Sequence, residues 1–111
     1  CEIEEPAALD LLLRLLRIPG KSREELAIQQ QVIAELTAAG IDPAACVIDD
    51  AHRRIPEGGV TGNLIVKFPG TIRGPRRMLM AHVDTVPICV GTDPYVDGEF
   101  VRSRAAGTGL G

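Results

Sequence analysis

The sequence predicts an α/β protein in which N-terminal helices pack on a mixed sheet. Residues 5–40 carry apolar residues at helical spacing, whereas residues 45–102 carry short apolar runs separated by turns rich in proline and glycine. Hydrophobic residues make up 45% of the 111 residues, which is enough for one small core. The order of two helices followed by short strands therefore indicates a mixed sheet covered by the two helices.

The first helix is predicted from Pro6 to about Arg17. Proline suits the first turn of a helix because no intrahelical partner needs its missing N–H. Asp10, Arg14 and Arg17 recur at positions i, i+4 and i+7, which leaves one polar stripe on a helix otherwise rich in leucine and alanine. We therefore expect this helix to be mostly buried.

The second helix is predicted to open after Pro19-Gly20 and to end before Gly40. Ser22 and Glu25 have the spacing of a capping box, in which the two side chains bond to free N–H groups of the first turn. Gly40 fits the left-handed residue that commonly follows a helix end. The expected core positions are Leu26, Ile33 and Leu36, and the expected solvent-facing positions are Gln29, Gln30 and Gln31.

Four segments of the second half have strand patterns, namely residues 45–48, residues 63–68, the run that starts at Met78, and residues 99–102. Asp93-Pro94 and Asp97-Gly98 are read as turns. Residues 107–111 lack the spacing of a phosphate-binding loop and are read as a flexible approach to a site.

The run Met78-Leu79-Met80-Ala81 leads into His82-Val83-Asp84. An apolar run of this length predicts a strand buried on both faces, as in parallel sheets. Ligands of open α/β sheets gather at the carboxyl ends of strands, and residues i and i+2 of an extended segment point to the same side. His82 and Asp84 are therefore expected to face one cavity.

Two interpretations of this pair stay open on the pattern alone. A metal-binding imidazole usually donates its other ring N–H to a carboxylate or a carbonyl, so His82 would be a ligand and Asp84 its partner. Alternatively, His82 is a core histidine and Asp84 caps the following turn.

Two other residues have simpler interpretations. Cys89 suits a small apolar core position better than the role of a nucleophile, and His52 lies in a charged stretch that favours a solvated loop.

Composition narrows the class of protein. Twelve basic and fifteen acidic residues give a net charge of −3, and no basic face is interleaved with aromatic residues, so nucleic acid is not an expected partner. Cys1, Cys46 and Cys89 form an odd, widely spaced set, which favours reduced thiols in a cytoplasmic protein. Neither a signal peptide nor a membrane span is evident, so no membrane association is expected.

The segment His82-Val83-Asp84-Thr85-Val86-Pro87 resembles the signature of a zinc-dependent peptidase and deacylase family. The family includes tripeptidase T, carboxypeptidase G2 and the acetylornithine and succinyl-diaminopimelate deacylases. The resemblance extends upstream through residues 62–66 and downstream through residues 107–111, and residues 82–91 most resemble tripeptidase T-like aminopeptidases.

The resemblance implies that His82 binds one metal of a dinuclear zinc site and that Asp84 is the catalytic residue that supports it. It also implies that residues 1–111 are an incomplete, N-terminal portion of a cocatalytic zinc-peptidase catalytic domain. In the family, the segment equivalent to residues 109–111 runs into an Asp-Asp pair, one of whose carboxylates bridges the two metals. The general base and the other ligands come from later sequence. A short peptide is the implied substrate, and a homodimer is compatible with the complete enzyme.

The expected function is that of a metal-dependent aminopeptidase acting on short peptides. One alternative is an N-acyl amino acid deacylase of the same family, and another is a non-catalytic fragment or pseudoenzyme that serves as an interaction module. A catalytic zinc ordinarily takes three protein ligands and a water, whereas this chain contains two histidines and no CxxC or HExxH motif. Residues 1–111 alone are therefore predicted to bind metal weakly and to be inactive.

Overall fold

A computed structural model describes residues 3–111 of the chain. The helices are α1 (Glu5–Leu16) and α2 (Leu26–Ala38), and the strands are β1 (Cys46–Ile48), β2 (Leu64–Val66), β3 (Pro94–Asp97) and β4 (Phe100–Ser103). The mixed α/β content is as predicted. The single mixed sheet is wrong, because β1 pairs with β2 and β3 with β4 in two separate antiparallel sheets. Cys1 lies outside the described residues.

Helix α1 has the predicted bounds to within one residue, with Pro6 in its first turn. The expectation that it is mostly buried is wrong, since none of its residues is buried. Its leucines Leu12, Leu15 and Leu16 line an open cleft of about 330 Å³, and Ile28 and Val32 of α2 line the same cleft. Arg14 of the polar stripe links the two helices, because its guanidinium donates two hydrogen bonds, of 3.0 and 2.8 Å, to the Glu35 carboxylate.

Helix α2 starts later than the capping-box pattern predicts. The Glu25 carboxylate accepts the N–H of Arg23, whose φ is +77°, and no side chain caps the helix. The C-terminal prediction is confirmed, because Gly40 has a φ of +92° and donates to the Thr37 carbonyl while Ile41 donates to the Leu36 carbonyl.

The expected faces of α2 are partly wrong. Gln29 is buried, although it was expected to face solvent, and Leu26 is exposed. Gln29 is buried because its amide is satisfied there: Nε2 donates to the Gly62 carbonyl (2.7 Å), and Oε1 accepts from the Thr61 hydroxyl (2.8 Å). Ile28, the neighbouring residue, is one of the buried apolar residues of the described chain.

Three of the four strand predictions are confirmed with shifted ends. In β1–β2 the pairs are Cys46 with Val66 and Ile48 with Leu64. In the second hairpin, Asp97 pairs with Phe100 across a turn in which Gly98 has a φ of +60°. Strand β3 was missed, because proline and aspartate disfavour strands and the stretch was read as turns.

The strand predicted from Met78 is wrong. Residues 75–84 belong to no strand, and Met78, Leu79 and Met80 expose 79%, 99% and 81% of their surface. An apolar run becomes a buried strand only when neighbouring strands satisfy its N–H and C=O groups. No described strand pairs with this run.

The described chain is loosely packed. Its radius of gyration is 16.0 Å, against about 13 Å expected for a compact domain of this length. The buried hydrophobic residues among those described are Ile28 and Cys89. None of the described helices is long and apolar enough to cross a membrane.

Candidate functional site

The segment around Asp84 is held in place by the loop that joins the two helices. The N–H of Thr85 donates to the Gly20 carbonyl (2.7 Å), and the N–H of Ser22 donates to the Thr85 carbonyl (3.3 Å). Lys21 and Thr85 thereby form an isolated parallel β-bridge. Two segments more than sixty residues apart in sequence are thus brought side by side, directly after the predicted site residues.

His82 and Asp84 lie together, as the sequence predicts. Nδ1 of His82 is 3.2 Å from Oδ1 of Asp84 and 3.1 Å from the Asp84 carbonyl oxygen. Both oxygens accept hydrogen bonds, so Nδ1 carries the proton in the neutral ring. Nε2 is then left with its lone pair, on a side chain that is 86% exposed.

The Asp84 carboxylate is oriented by a second partner. The Ser22 hydroxyl donates a hydrogen bond of 2.6 Å to Oδ2. This hydrogen bond is the main cause that lowers the pKa of Asp84 below its ordinary value, and the hydrogen bond of His82 and, when the ring is protonated, its charge act in the same direction. Partial burial opposes the shift. Asp84 is therefore ionised around neutral pH, with one oxygen on Ser22 and the other on His82.

A cleft of about 210 Å³ opens beside this pair, and both histidines of the chain line it. Gln29 and Glu25 contribute from the start of α2 and just before it, and His52 contributes from the short helical turn Ala51–Arg54. His52 was expected in a solvated loop. It is instead half-buried, and its Nδ1 is buried and has no hydrogen-bond partner among the described residues.

The donor set fits one zinc ligand and not a complete zinc site. A neutral imidazole with Nδ1–H held by a carboxylate and Nε2 free has the form that metal-binding histidines adopt. However, residues 3–111 contain no group of three or more His, Cys, Asp or Glu side chains placed to hold a metal ion. The described residues therefore offer one imidazole in this form, and a complete zinc site would need two further protein ligands.

Cys89 lies in the short helical turn Pro87–Cys89 and is buried. The C-terminal segment packs near it, because the N–H of Gly109 donates to the Ile88 carbonyl (3.0 Å). A side chain added at Gly109 would meet the Cys89 sulfur at 3.3 Å. These contacts agree with a packing role for Cys89 and tie residues 107–111 to the same region as Asp84.

Sequence reasoning found His82 and Asp84 and missed Ser22, Gln29 and His52 as residues of this region. His82 and Asp84 belong to one three-residue motif, so the pair can be recognised from the sequence alone. Ser22 reaches Asp84 across 62 positions of sequence. The sequence pattern around Ser22 instead indicates a helix cap, because its spacing to Glu25 is that of a capping box.

Comparisons of the chain with protein-family models, with curated proteins and with solved structures gave no match. Membership of the zinc-dependent peptidase and deacylase family therefore stays a prediction from the sequence motif.

Proposed function

We propose that this chain is part of a zinc-dependent aminopeptidase that hydrolyses short peptides and resembles tripeptidase T. The observation that carries the proposal is the arrangement of His82, whose Nδ1–H is held by Asp84 while Nε2 has no hydrogen-bond partner among residues 3–111, on a side chain that is 86% exposed. A motif of the form H-x-D-T-x-P in the same segment supports it.

In this proposal His82 presents the Nε2 lone pair to one metal ion. Asp84 fixes the ring orientation and raises the basicity of the imidazole through the Nδ1–H hydrogen bond. Zinc, when bound at such a site, lowers the pKa of a bound water and polarises the scissile carbonyl. The cleft beside His82 gives a short peptide access to this position. The remaining ligands and the general base are proposed to lie outside residues 1–111.

Metal binding by the chain of residues 1–111 tests the role of His82. Zinc titrations should show weak binding that His82→Ala abolishes, because a single imidazole and its carboxylate partner are the main donors offered. His52→Ala is the matched control, since it removes the other histidine of the same cleft. Equal zinc binding in the parent and in His82→Ala would remove His82 from the proposal.

Activity provides a separate test. Residues 1–111 should not hydrolyse a free tripeptide at an appreciable rate, and robust hydrolysis by the purified chain would contradict the proposal that its site is incomplete.

The coding sequence after the codon for Gly111 is expected to encode an Asp-Asp pair within a few residues. In a chain with all ligands, His82→Ala should lose one zinc and nearly all turnover. A free tripeptide should be preferred over an N-acetylated amino acid, and the reverse preference would indicate a deacylase.

A second candidate function is that of a non-catalytic interaction module. Three consecutive apolar residues, Met78, Leu79 and Met80, are exposed in a segment that pairs with none of the described strands. Contiguous exposed apolar surface and unpaired backbone favour association with another chain. A stop codon directly after Gly111 would favour this function over catalysis.

A further inference from the structure

We propose that Ser22 is a positioning residue for His82 and acts through the carboxylate of Asp84. The inference deepens the proposed function and rests on it in one respect, namely that Nε2 of His82 binds a metal. The three side chains form a chain of two hydrogen bonds, from the Ser22 hydroxyl to Oδ2 of Asp84 and from Nδ1–H of His82 to Oδ1.

The position of Ser22 is set by the backbone and not by its own side chain. The Ser22 N–H donates to the Thr85 carbonyl, and the Gly20 carbonyl accepts both the N–H and, at 3.4 Å, the hydroxyl of Thr85. These bonds hold the residue beside Asp84 whether or not a hydroxyl is present. Removing the hydroxyl therefore changes the partner of Asp84 and leaves the bridge between the two segments intact.

The hydroxyl determines which oxygen of Asp84 faces the imidazole. The terminal torsion of an aspartate is broad and nearly two-fold, so an unanchored carboxylate samples several orientations. The hydrogen bond from Ser22 occupies Oδ2 and directs Oδ1 toward Nδ1. Without it the Asp84 carbonyl is the remaining fixed acceptor for the ring, at 3.1 Å.

The expected consequence is a change in the tautomer of His82. Two acceptors on Nδ1 favour the Nδ1–H form, in which Nε2 is available to a cation. If Asp84 moves away from the ring, the Nε2–H form gains population and fewer molecules are ready to bind metal. A residue that only stabilised the fold would change the unfolding temperature and would leave the tautomer ratio of the folded protein unaltered.

Nuclear magnetic resonance of the chain labelled with ¹⁵N-histidine measures this ratio directly. Long-range ¹H–¹⁵N spectra would be recorded at about pH 9, well above the ordinary pKa of an imidazole. His52→Gln assigns the two rings. Ser22→Ala should raise the Nε2–H fraction of His82, whereas Ser22→Thr, which keeps a hydroxyl, should restore the parent ratio.

Two further variants serve as controls. Ser103→Ala removes the chain's other serine hydroxyl, which bonds to Asp93 and Thr108 in the β3–β4 region, and it should leave His82 unchanged. Ser22→Cys keeps the shape of the side chain with a somewhat larger atom that is only a weak donor, and it replaces Ser22→Ala if that variant does not fold. In an Asp84→Ala background, Ser22→Ala should have no further effect on the ratio.

Zinc affinity gives an independent readout. The dissociation constant for zinc should rise roughly tenfold in Ser22→Ala, at the low end of the range for groups that orient a metal-binding histidine. An unchanged tautomer ratio together with an unchanged zinc affinity in Ser22→Ala would overturn the inference. If His82→Ala proved not to affect zinc binding, the proposed function would fail, while the tautomer ratio would still decide the role of Ser22.

Discussion

At the scale of single residues, Asp49 shows how one carboxylate can organise a region. Its Oδ1 accepts the N–H groups of Ala51 (3.0 Å) and Asn63 (2.8 Å), and its Oδ2 accepts the Asn63 side-chain amide (3.0 Å). The hydrogen bond from Ala51 is the largest of the causes that lower the pKa of Asp49, followed by those from Asn63. The carboxylate thus joins the end of β1 to the start of β2.

This shift predicts a pH dependence of stability. Because the pKa of Asp49 is lowered in the folded chain, its contribution is present above the unfolded value, about 3.9, and is lost as pH falls through the folded pKa. Asp49→Asn should lower the free energy of unfolding at neutral pH, and its difference from the parent should shrink below about pH 4. Denaturant titrations at several pH values measure both effects.

Asp50→Asn is the control for this prediction. Asp50 is adjacent in sequence and makes an exposed ion pair with Arg54 at 3.3 Å, which contributes little to stability. Its substitution should leave the unfolding free energy nearly unchanged across the same pH range. A difference between Asp49→Asn and the parent that stayed constant down to acidic pH would contradict the role of the carboxylate.

At the scale of elements, the close approach of the segment before β2 to the end of β1 depends on Gly62. Its carbonyl accepts the buried Gln29 amide, and an added Cβ would collide with the backbone and side chain of Asp49. Gly62→Ala should therefore lower the free energy of unfolding by about 1–3 kcal/mol, the range for overpacking a fitted position.

Gly59→Ala is the matched control, because its Cβ would meet His52 at 3.5 Å, an ordinary contact. Thermal and denaturant unfolding of the two variants gives the comparison. Equal destabilisation by both substitutions would show that the close approach of residue 62 to Asp49 does not require a glycine.

Elements whose formation depends on local sequence were predictable here. Helix α1 and the end of α2 follow from a proline, an apolar pattern and a glycine at φ +92°, all of which act within a few residues. The burial of Gln29 and the contact of Ser22 with Asp84 were not predictable, because each depends on a partner more than thirty residues away. The same holds for the Met78 run, whose apolar pattern indicates burial without saying which strand would cover it.

At the scale of the whole molecule, the described chain leaves apolar surface uncovered. Residues 78–80 are almost fully exposed, and the radius of gyration of 16.0 Å exceeds the value of about 13 Å for a compact domain of the same length. The candidate ligand His82 follows this run directly. Whatever covers residues 78–80 would therefore also approach the cleft that contains His82.

Uncovered apolar surface predicts that the chain of residues 1–111 self-associates. Leu79→Asp should reduce this association by placing a charge in the middle of the exposed run. Since Leu79 is 99% exposed, the unfolding free energy should change by no more than about 0.5 kcal/mol. Sedimentation velocity over a range of protein concentrations would show the shift toward monomer.

Ile72→Asp is the control for Leu79→Asp, because Ile72 is an isolated apolar residue that is 86% exposed. This substitution should leave the self-association of the chain as it is in the parent. A parent chain that stays monomeric at high concentration would remove the support for an interaction module and would leave the metal-ligand role of His82 as the function to pursue.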